Sequence, residues 1–446
     1  MKDLTQGNVY KTFFFFALPL VFAGFLLQAY NLIDTVIAGR FLGETGLAAL
    51  GATSELIILT NSTFWGINAG LGIYTASLFG ARKYAELKNN LYTTFLILFG
   101  SMLFIGILLV IFREPIFDFL RVDDAIRAEA TKYFTVYILG FALVVTNDFG
   151  LCTLNALGAS DFPFKMALLS MTLNISGNLL AVAVLDLGVL GLAISSVTAA
   201  FIVDVFYFFK IRRCLGELGV LENTPFRPSL PHLKQSGIYA IPPGFQQLVM
   251  YISSFLILPL INSIGDAASA AYIVILQLYS VVAEVYQGSS KTISNYVAQA
   301  TGAGKTHLYV RGIRAGLLQA VLFALPLVLI FALFPRFFVG LFFPTGFSGE
   351  AMDYAILFLT ACLPFVLINT VNNLFHSYFR GVADAKLLLI TTAFGSFSRL
   401  LLTYLLIGRG MTGVFLGWAG SWVLEALLNA ALYFLVIRPK CLQKTN

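Results

Sequence analysis

The chain has 446 residues, of which 59% are hydrophobic and only 11% charged, against about 25% charged in an average soluble domain. A water-soluble protein this apolar could not cover its own surface, which excludes a soluble enzyme and makes lipid the solvent for most of the chain. The net charge of +6 does not mark a nucleic-acid binder, because the Lys and Arg residues sit in short segments between apolar runs.

In chain order, apolar runs of helical length fall at 11–39, 46–79, 89–112, 128–155, 164–186, 188–210, 236–264, 268–300, 312–334, 351–379, 386–408 and 412–437, and a membrane-spanning helix takes about 20 residues. The first run carries Pro19, Gln28, Asn31 and Asp34 with no small-residue cleavage site after it, so a retained span is expected there and not a signal peptide. Pro19, Pro242 and Pro243 each remove a helical backbone bond, and kinks are expected there. With the N-terminus placed inside and the loops alternating, most of the 28 basic residues fall on the inner side, among them Lys83, Arg212, Arg213, Lys305 and Lys440. The positive-inside rule then puts both termini in the cytoplasm of a multi-pass protein of the cell membrane, inner or plasma.

The two halves repeat. Phe16-Ala-Leu-Pro19 is answered half a chain later by Tyr239-Ala-Ile-Pro242, and Gly188-x-x-Gly191 by Gly410-x-x-Gly413 in nearly the same register. Gly80-Ala81 with Lys83 is answered by Gly302-Ala303 with Lys305, and Gly158 with Asp161 by Gly381 with Asp384. An offset that joins halves with an even number of spans makes the repeat parallel, about an axis along the membrane normal. The expected architecture is an all-α integral membrane protein, with twelve transmembrane helices in two pseudo-symmetric six-helix lobes around a central cleft. Residues 1–210 form the first lobe, 211–235 a basic cytoplasmic linker and 236–446 the second lobe.

Several of these residues carry a family likeness. Asp3-Leu4-Thr5-x-Gly7 leading into Ala17-Leu18-Pro19, and Gln28-x-Tyr30-Asn31-x-x-Asp34-Thr35 followed by Gly39 and Gly43, resemble the N-terminal signature of the multidrug and toxic compound extrusion (MATE) family. Gly66-x-x-x-Gly70 with Gly80-Ala81, and the later Gly302-Ala303-Gly304, are similar to that family's loops after the second and eighth spans. The resemblance runs from Asp3 to about Arg438 and implies export of organic, often cationic, compounds by antiport against protons or sodium ions.

An ionisable residue inside a span is costly, at roughly 2.5–3.5 kcal/mol on insertion scales, and is a functional candidate by default. Asp34 is the foremost. Gln28, Asn31 and Asp34 recur at spacing three on one helical face, with Tyr30 on its flank. A carboxyl held away from water can bind and release a proton near neutral pH; flanked by amide oxygens it could equally hold sodium, the one metal site expected. Counting depth along the spans brings Asn174, Asn178 and Ser196 to the level of Asp34, where they could surround one ion. Family members often carry a second aspartate at the position aligned with Asn178, so a two-carboxylate sodium site is not expected here.

Gln28, Tyr30, Glu55, Gln246, Tyr251 and Glu284 are the candidates for the substrate cleft, Glu284 as an attractor of a cation and Glu55 either as another or as a sharer of the coupling proton. Arg399 and Glu425 on neighbouring spans are expected to pair, and Asp148 and Asp204 to serve inside the first lobe. Some family members use a glutamate in span seven, but this chain has none there. Gly304-Lys305-Thr306 looks like the end of a phosphate-binding loop but lacks the required upstream glycine, Gln299 standing there, and the preceding strand. No ATPase site, cofactor or catalytic residue is expected, and transport should be secondary. The implied partners are a small-molecule substrate, the coupling ion and the lipid bilayer, with no nucleic acid, and the expected assembly is a monomer. The alternatives are a lipid-linked precursor flippase of the same superfamily and a membrane-embedded enzyme or receptor; Asp34, Glu55 and Glu284 argue against the first and the scarcity of histidine against the second.

Overall fold

The computed structural model of the chain describes residues 2–119, 122–221, 230–343 and 349–437; the side chains of Asn31 and Glu55 also lie outside the described residues. The structure is 90% helical, and among the described residues there is no strand. Lipid offers no hydrogen-bond partner to the backbone, so each apolar run closes its own bonds as a helix. The helices are α1 (Val9–Gly80), α2 (Tyr84–Ile111), α3 (Arg113–Phe119), α4 (Asp124–Ala156), α5 (Asp161–Asn178), α6 (Gly188–Glu217) and α7 (Leu230–Asn262). The second half adds α8 (Asp266–Gly302), α9 (Leu308–Leu333), α10 (Pro335–Gly340), α11 (Glu350–Leu357), α12 (Val366–Gly381), α13 (Ala385–Leu406) and α14 (Met411–Leu432). Twelve stretches of these are long and apolar enough to cross a membrane. Their outer faces carry large apolar side chains at high exposure, such as Phe104, Ile111, Phe397 and Leu405. Water would not tolerate that surface, but lipid does.

The first two spans form one run of helix broken only at Gly43, whose φ of 66° is open chiefly to glycine. Left-handed turns recur at the repeat offset: Gly43 and Gly265, Arg82 and Gly304, Gly188 and Gly410 all have positive φ. The short helices α3 and α10 also begin at matching places in the two halves, at Arg113 and Pro335. Turn chemistry thus repeats where the sequence does, as a parallel duplication requires. Helix starts are capped by acids: Asp123 accepts from Ala125 N at 2.9 Å and Asp384 from Leu387 N at 3.1 Å.

The chain forms two compact units, and they differ from a division at the linker. Unit 1 comprises residues 1–3 and 22–244, unit 2 residues 4–21 and 245–446. Each unit therefore includes the opening segment of a span whose remainder belongs to the other. The crossover follows Pro19 in α1 and Pro243 in α7, at corresponding places in the repeat, although helix is continuous through both prolines. The reason lies in side-chain packing. Phe13 stacks edge-on against Tyr296 at 5.0 Å within unit 2, and Tyr239 packs on Tyr74 at 5.0 Å within unit 1.

In unit 1 the core is built by α2, α4 and α6, with Leu87, Met102, Phe141, Val145, Val203 and Tyr207 buried together. Gly140 and Gly150 let α4 approach α6: a methyl group would lie 2.2 Å from the Val197 side chain at the first and 2.7 Å from the Tyr207 ring at the second. Unit 2 packs α8, α12 and α14 around Val282, Phe358, Val366, Trp418 and Trp422.

Candidate functional site

The polar centre of unit 1 forms where α1, α4, α5 and α6 meet. Asp34 on α1 accepts a hydrogen bond at Oδ1 from the Asn178 side-chain amide. The same Nδ2 donates to Asn174 Oδ1 at 2.7 Å, and Asn174 Nδ2 donates to Ser196 Oγ at 3.0 Å. Asn174 and Asn178 are one helical turn apart on α5 and are 2% and 0% exposed. Four residues expected to surround one ion are thus brought together. Tyr30, expected to face substrate, lies beside this network instead, its hydroxyl near Ser196 and Asn174.

Local structure holds the network in place. α5 ends at Asn178 and continues as a π-helical turn over Leu179–Val184, a wider winding that often marks functional sites. Gly191 on α6 faces Ala181 in that turn, where a methyl group would lie 2.8 Å from the Ala181 Cβ. The close seating of α6 carries Ser196 to Asn174. Two residues were missed by the sequence reading: Tyr133 and Tyr137 on α4 have rings stacked at 5.6 Å, and the Asp34 charge acts on both hydroxyls. Their i,i+4 spacing on one face was visible, but tyrosines are so common in this chain that only the fold singles them out.

The centre gathers side-chain oxygen atoms around one carboxylate. Asn178 Oδ1 is buried without a hydrogen-bond partner, an idle carbonyl oxygen beside Asp34. Hard cations take oxygen ligands, and the carboxylate, the amide oxygens, Ser196 and Tyr30 supply them. Among the described residues, no group of three His, Cys, Asp or Glu converges as a metal cluster would.

Comparison with known families places this geometry. The MatE family model matches residues 19–180 and again 242–405, two matches in the register of the internal repeat. The chain belongs to the MatE family. Among its relatives is a probable multidrug resistance protein, YpnP, from Bacillus subtilis (strain 168), 23% identical over 68% of this chain and 67% of the relative. An FAD transporter from Shewanella oneidensis is 24% identical over 74% of this chain and 73% of the relative. A solved multidrug resistance MATE family transporter of the MOP superfamily, in an outward-facing conformation, superposes with a TM-score of 0.88 at 20% identity, covering 100% of this chain and 99% of that one. A MOP superfamily transporter from Pyrococcus furiosus, described as having a binding pocket of reverse polarity, gives 0.88 at 19% identity over 100% and 98%. These structural likenesses establish the fold. The MatE chain is a multi-pass membrane protein.

Other expected site residues fall elsewhere in this MatE protein. Gln246 does not line an open cleft: it is 2% exposed inside unit 2, where its Nε2 donates to Thr392 Oγ1 at 3.0 Å. Burial between α7 and α13 explains this, since an amide there needs a partner. Gln28 in unit 1 and Tyr251 and Glu284 in unit 2 are half-buried. The expectations for the side chains of Asn31 and Glu55 lie outside the described residues. Asp204 takes a lobe-internal role, its Oδ2 accepting from Thr146 Oγ1 at 2.6 Å.

The expected Arg399–Glu425 pair does not form. Glu425 Oε1 lies 2.8 Å from His376 Nε2, with the two side chains 8% and 5% exposed. Arg399 donates to Ser253 Oγ at 3.2 Å and Ser254 Oγ at 2.9 Å, with its guanidinium 5.8 Å from the Trp418 ring centre. Gly395, one turn before Arg399 on α13, is the cause: with no side chain it leaves the space that the Glu425 carboxyl occupies.

Proposed function

We propose that this chain is a secondary antiporter that exports small organic compounds, cationic and amphipathic ones foremost, in exchange for protons or sodium ions carried at Asp34. The observation that carries the proposal is the hydrogen-bonded line Asp34–Asn178–Asn174–Ser196, which ties the carboxylate on α1 to α5 and α6. Ionised Asp34 accepts from the Asn178 amide nitrogen. Protonated Asp34 gains an O–H donor while keeping an acceptor oxygen, and an acceptor beside it is the idle Oδ1 of the same amide. Presenting that oxygen requires the amide to turn over, which breaks the bond from Nδ2 to Asn174. A sodium ion on the carboxylate would call for the same oxygen. Either cation therefore alters how α1 holds α5 and α6, which gives ion binding a means to favour one state of the protein.

Antiport follows if substrate favours the other state, since ion and substrate then displace one another through the conformational equilibrium. The names of the relatives, two probable multidrug resistance proteins and an FAD transporter, support small organic cargo. The test is ethidium transport by the reconstituted protein, with a pH gradient and a sodium gradient imposed separately. Acceleration by one of the two identifies the coupling ion, and indifference to both would refute antiport.

A further inference from the structure

We infer that unit 2 carries a proton-binding site of its own, the buried pair His376–Glu425, in which the carboxyl and the imidazole exchange a proton with the aqueous phase during the cycle. Its part in transport rests on the antiport reading above; its titration does not. His376 on α12 and Glu425 on α14 meet at 2.8 Å, both side chains more than nine-tenths buried within the span region. Thr392 Oγ1 on α13 lies 3.5 Å from the same His376 Nε2 and accepts from Gln246 on α7. Four helices therefore converge on one imidazole–carboxyl contact. A polar seam extends it: Asn372, one turn before His376, donates to Trp422 O at 3.0 Å and accepts from Asn429 Nδ2 at 3.1 Å.

The unused atoms in this seam set it apart from a purely structural ion pair. His376 Nδ1, Glu425 Oε1, Gln246 Oε1 and Asn429 Oδ1 are all buried without a hydrogen bond, so the 2.8 Å approach of Glu425 to His376 is a charge contact and not an aligned hydrogen bond. Native interiors leave few such atoms, and a cluster of them calls for an explanation. With one proton on either partner, the pair is neutral overall. A second proton makes the carboxyl neutral, removes its attraction for the imidazolium and leaves a net positive charge with new N–H and O–H donors; the idle amide oxygens are acceptors in the same seam. Loss of that proton leaves a bare carboxylate. Proton exchange thus switches the contact between α12 and α14. A metal cation fits less well, because the carboxylate oxygen is already in contact with an imidazole nitrogen.

Other charged and titratable groups on the packed elements are few. Arg399 on α13 acts on Glu425 and on Tyr272, Tyr279 and Tyr286 of α8. Glu284 and Lys291 lie on α8, Arg380 on α12 bonds Ser377, Lys386 opens α13, Arg311 and Arg314 lie on α9, and Tyr251 is on α7.

The experiment is infrared difference spectroscopy of the full-length protein in lipid, titrated between about pH 8 and pH 5, for wild type, Glu425→Gln, His376→Asn and Asp34→Asn. A protonated-carboxyl carbonyl band should grow on acidification, vanish in Glu425→Gln, persist in Asp34→Asn and titrate at a displaced pH in His376→Asn. In a parallel transport assay the protons exchanged per substrate should fall by about one in Glu425→Gln. A wild-type spectrum unchanged by Glu425→Gln, or a band that follows sodium at fixed pH, would overturn the inference. If Glu425→Gln does not fold, an unaltered titration in His376→Asn would overturn it as well. Loss of coupling in Asp34→Asn with no Glu425 band refutes this site and spares Asp34; a Glu425 band with undiminished transport in Asp34→Asn does the reverse.

Discussion

Replacement of Gly395 should be tolerated only when the Glu425 side chain is removed with it. A methyl group at Gly395 would lie 2.3 Å from Glu425 Oε2 and 2.6 Å from its Cδ, both closer than real contacts allow. Relief needs the carboxyl to move by about 1 Å, which lengthens the 2.8 Å charge contact with His376. Overpacking costs about 1–3 kcal/mol, and a buried pair broken outright costs about 3–5 kcal/mol. Gly395→Ala should therefore destabilise the protein by about 3 kcal/mol, part of the pair surviving by relaxation. In a Glu425→Ala background the clash is gone and the same change should cost under about 1 kcal/mol, a coupling of about 2 kcal/mol. Guanidinium unfolding in detergent micelles, run on all four members of the cycle, measures this. Equal penalties in both backgrounds would show that the glycine does not seat the carboxyl.

Three other outcomes follow from the unit 1 geometry. Asn178→Ala removes the donor to Asp34 and to Asn174; with a charge-assisted bond at about 1.5–3 kcal/mol, gradient-driven ethidium transport should drop by about tenfold or more while gel filtration shows a folded protein. Tyr30→Phe removes the hydroxyl beside Ser196 and Asn174; at about 0.6 kcal/mol for the loss of one interhelical bond, transport should slow by only about threefold. Thr146→Val strips the donor from Asp204 Oδ2; thermal unfolding in detergent should show a loss of about 1–3 kcal/mol, with coupling to the ion gradient retained.

Twelve spans and a parallel repeat were legible because lipid enforces helix over every apolar run, and because glycines at turns recur with the duplication, Gly43 with Gly265 and Gly188 with Gly410. Asp34, Asn174, Asn178 and Ser196 could be grouped by counting depth, since helical rise is constant along each span. What sequence could not give was rotation about the helix axis. Arg399 and Glu425 lie on neighbouring helices, yet the missing side chain of Gly395 draws the carboxyl one turn away from the guanidinium, and His376 takes the place that the arginine was expected to fill. Gln246 has the composition of a cleft residue and turns instead toward Thr392. The exchange of 4–21 and 230–244 between units escaped for a related reason: a prolonged apolar run shows where a span is but not which neighbours its two ends pack against.

The central claim is that the Asp34 carboxyl, held by Asn178, carries the coupling ion. Drug accumulation in everted membrane vesicles, driven by an imposed ion gradient, tests it in wild type against Asp34→Asn, a replacement that preserves shape and removes the titrating group. The account predicts that gradient-driven accumulation disappears in the mutant while purified protein still binds the drug. Accumulation at the wild-type rate would contradict it.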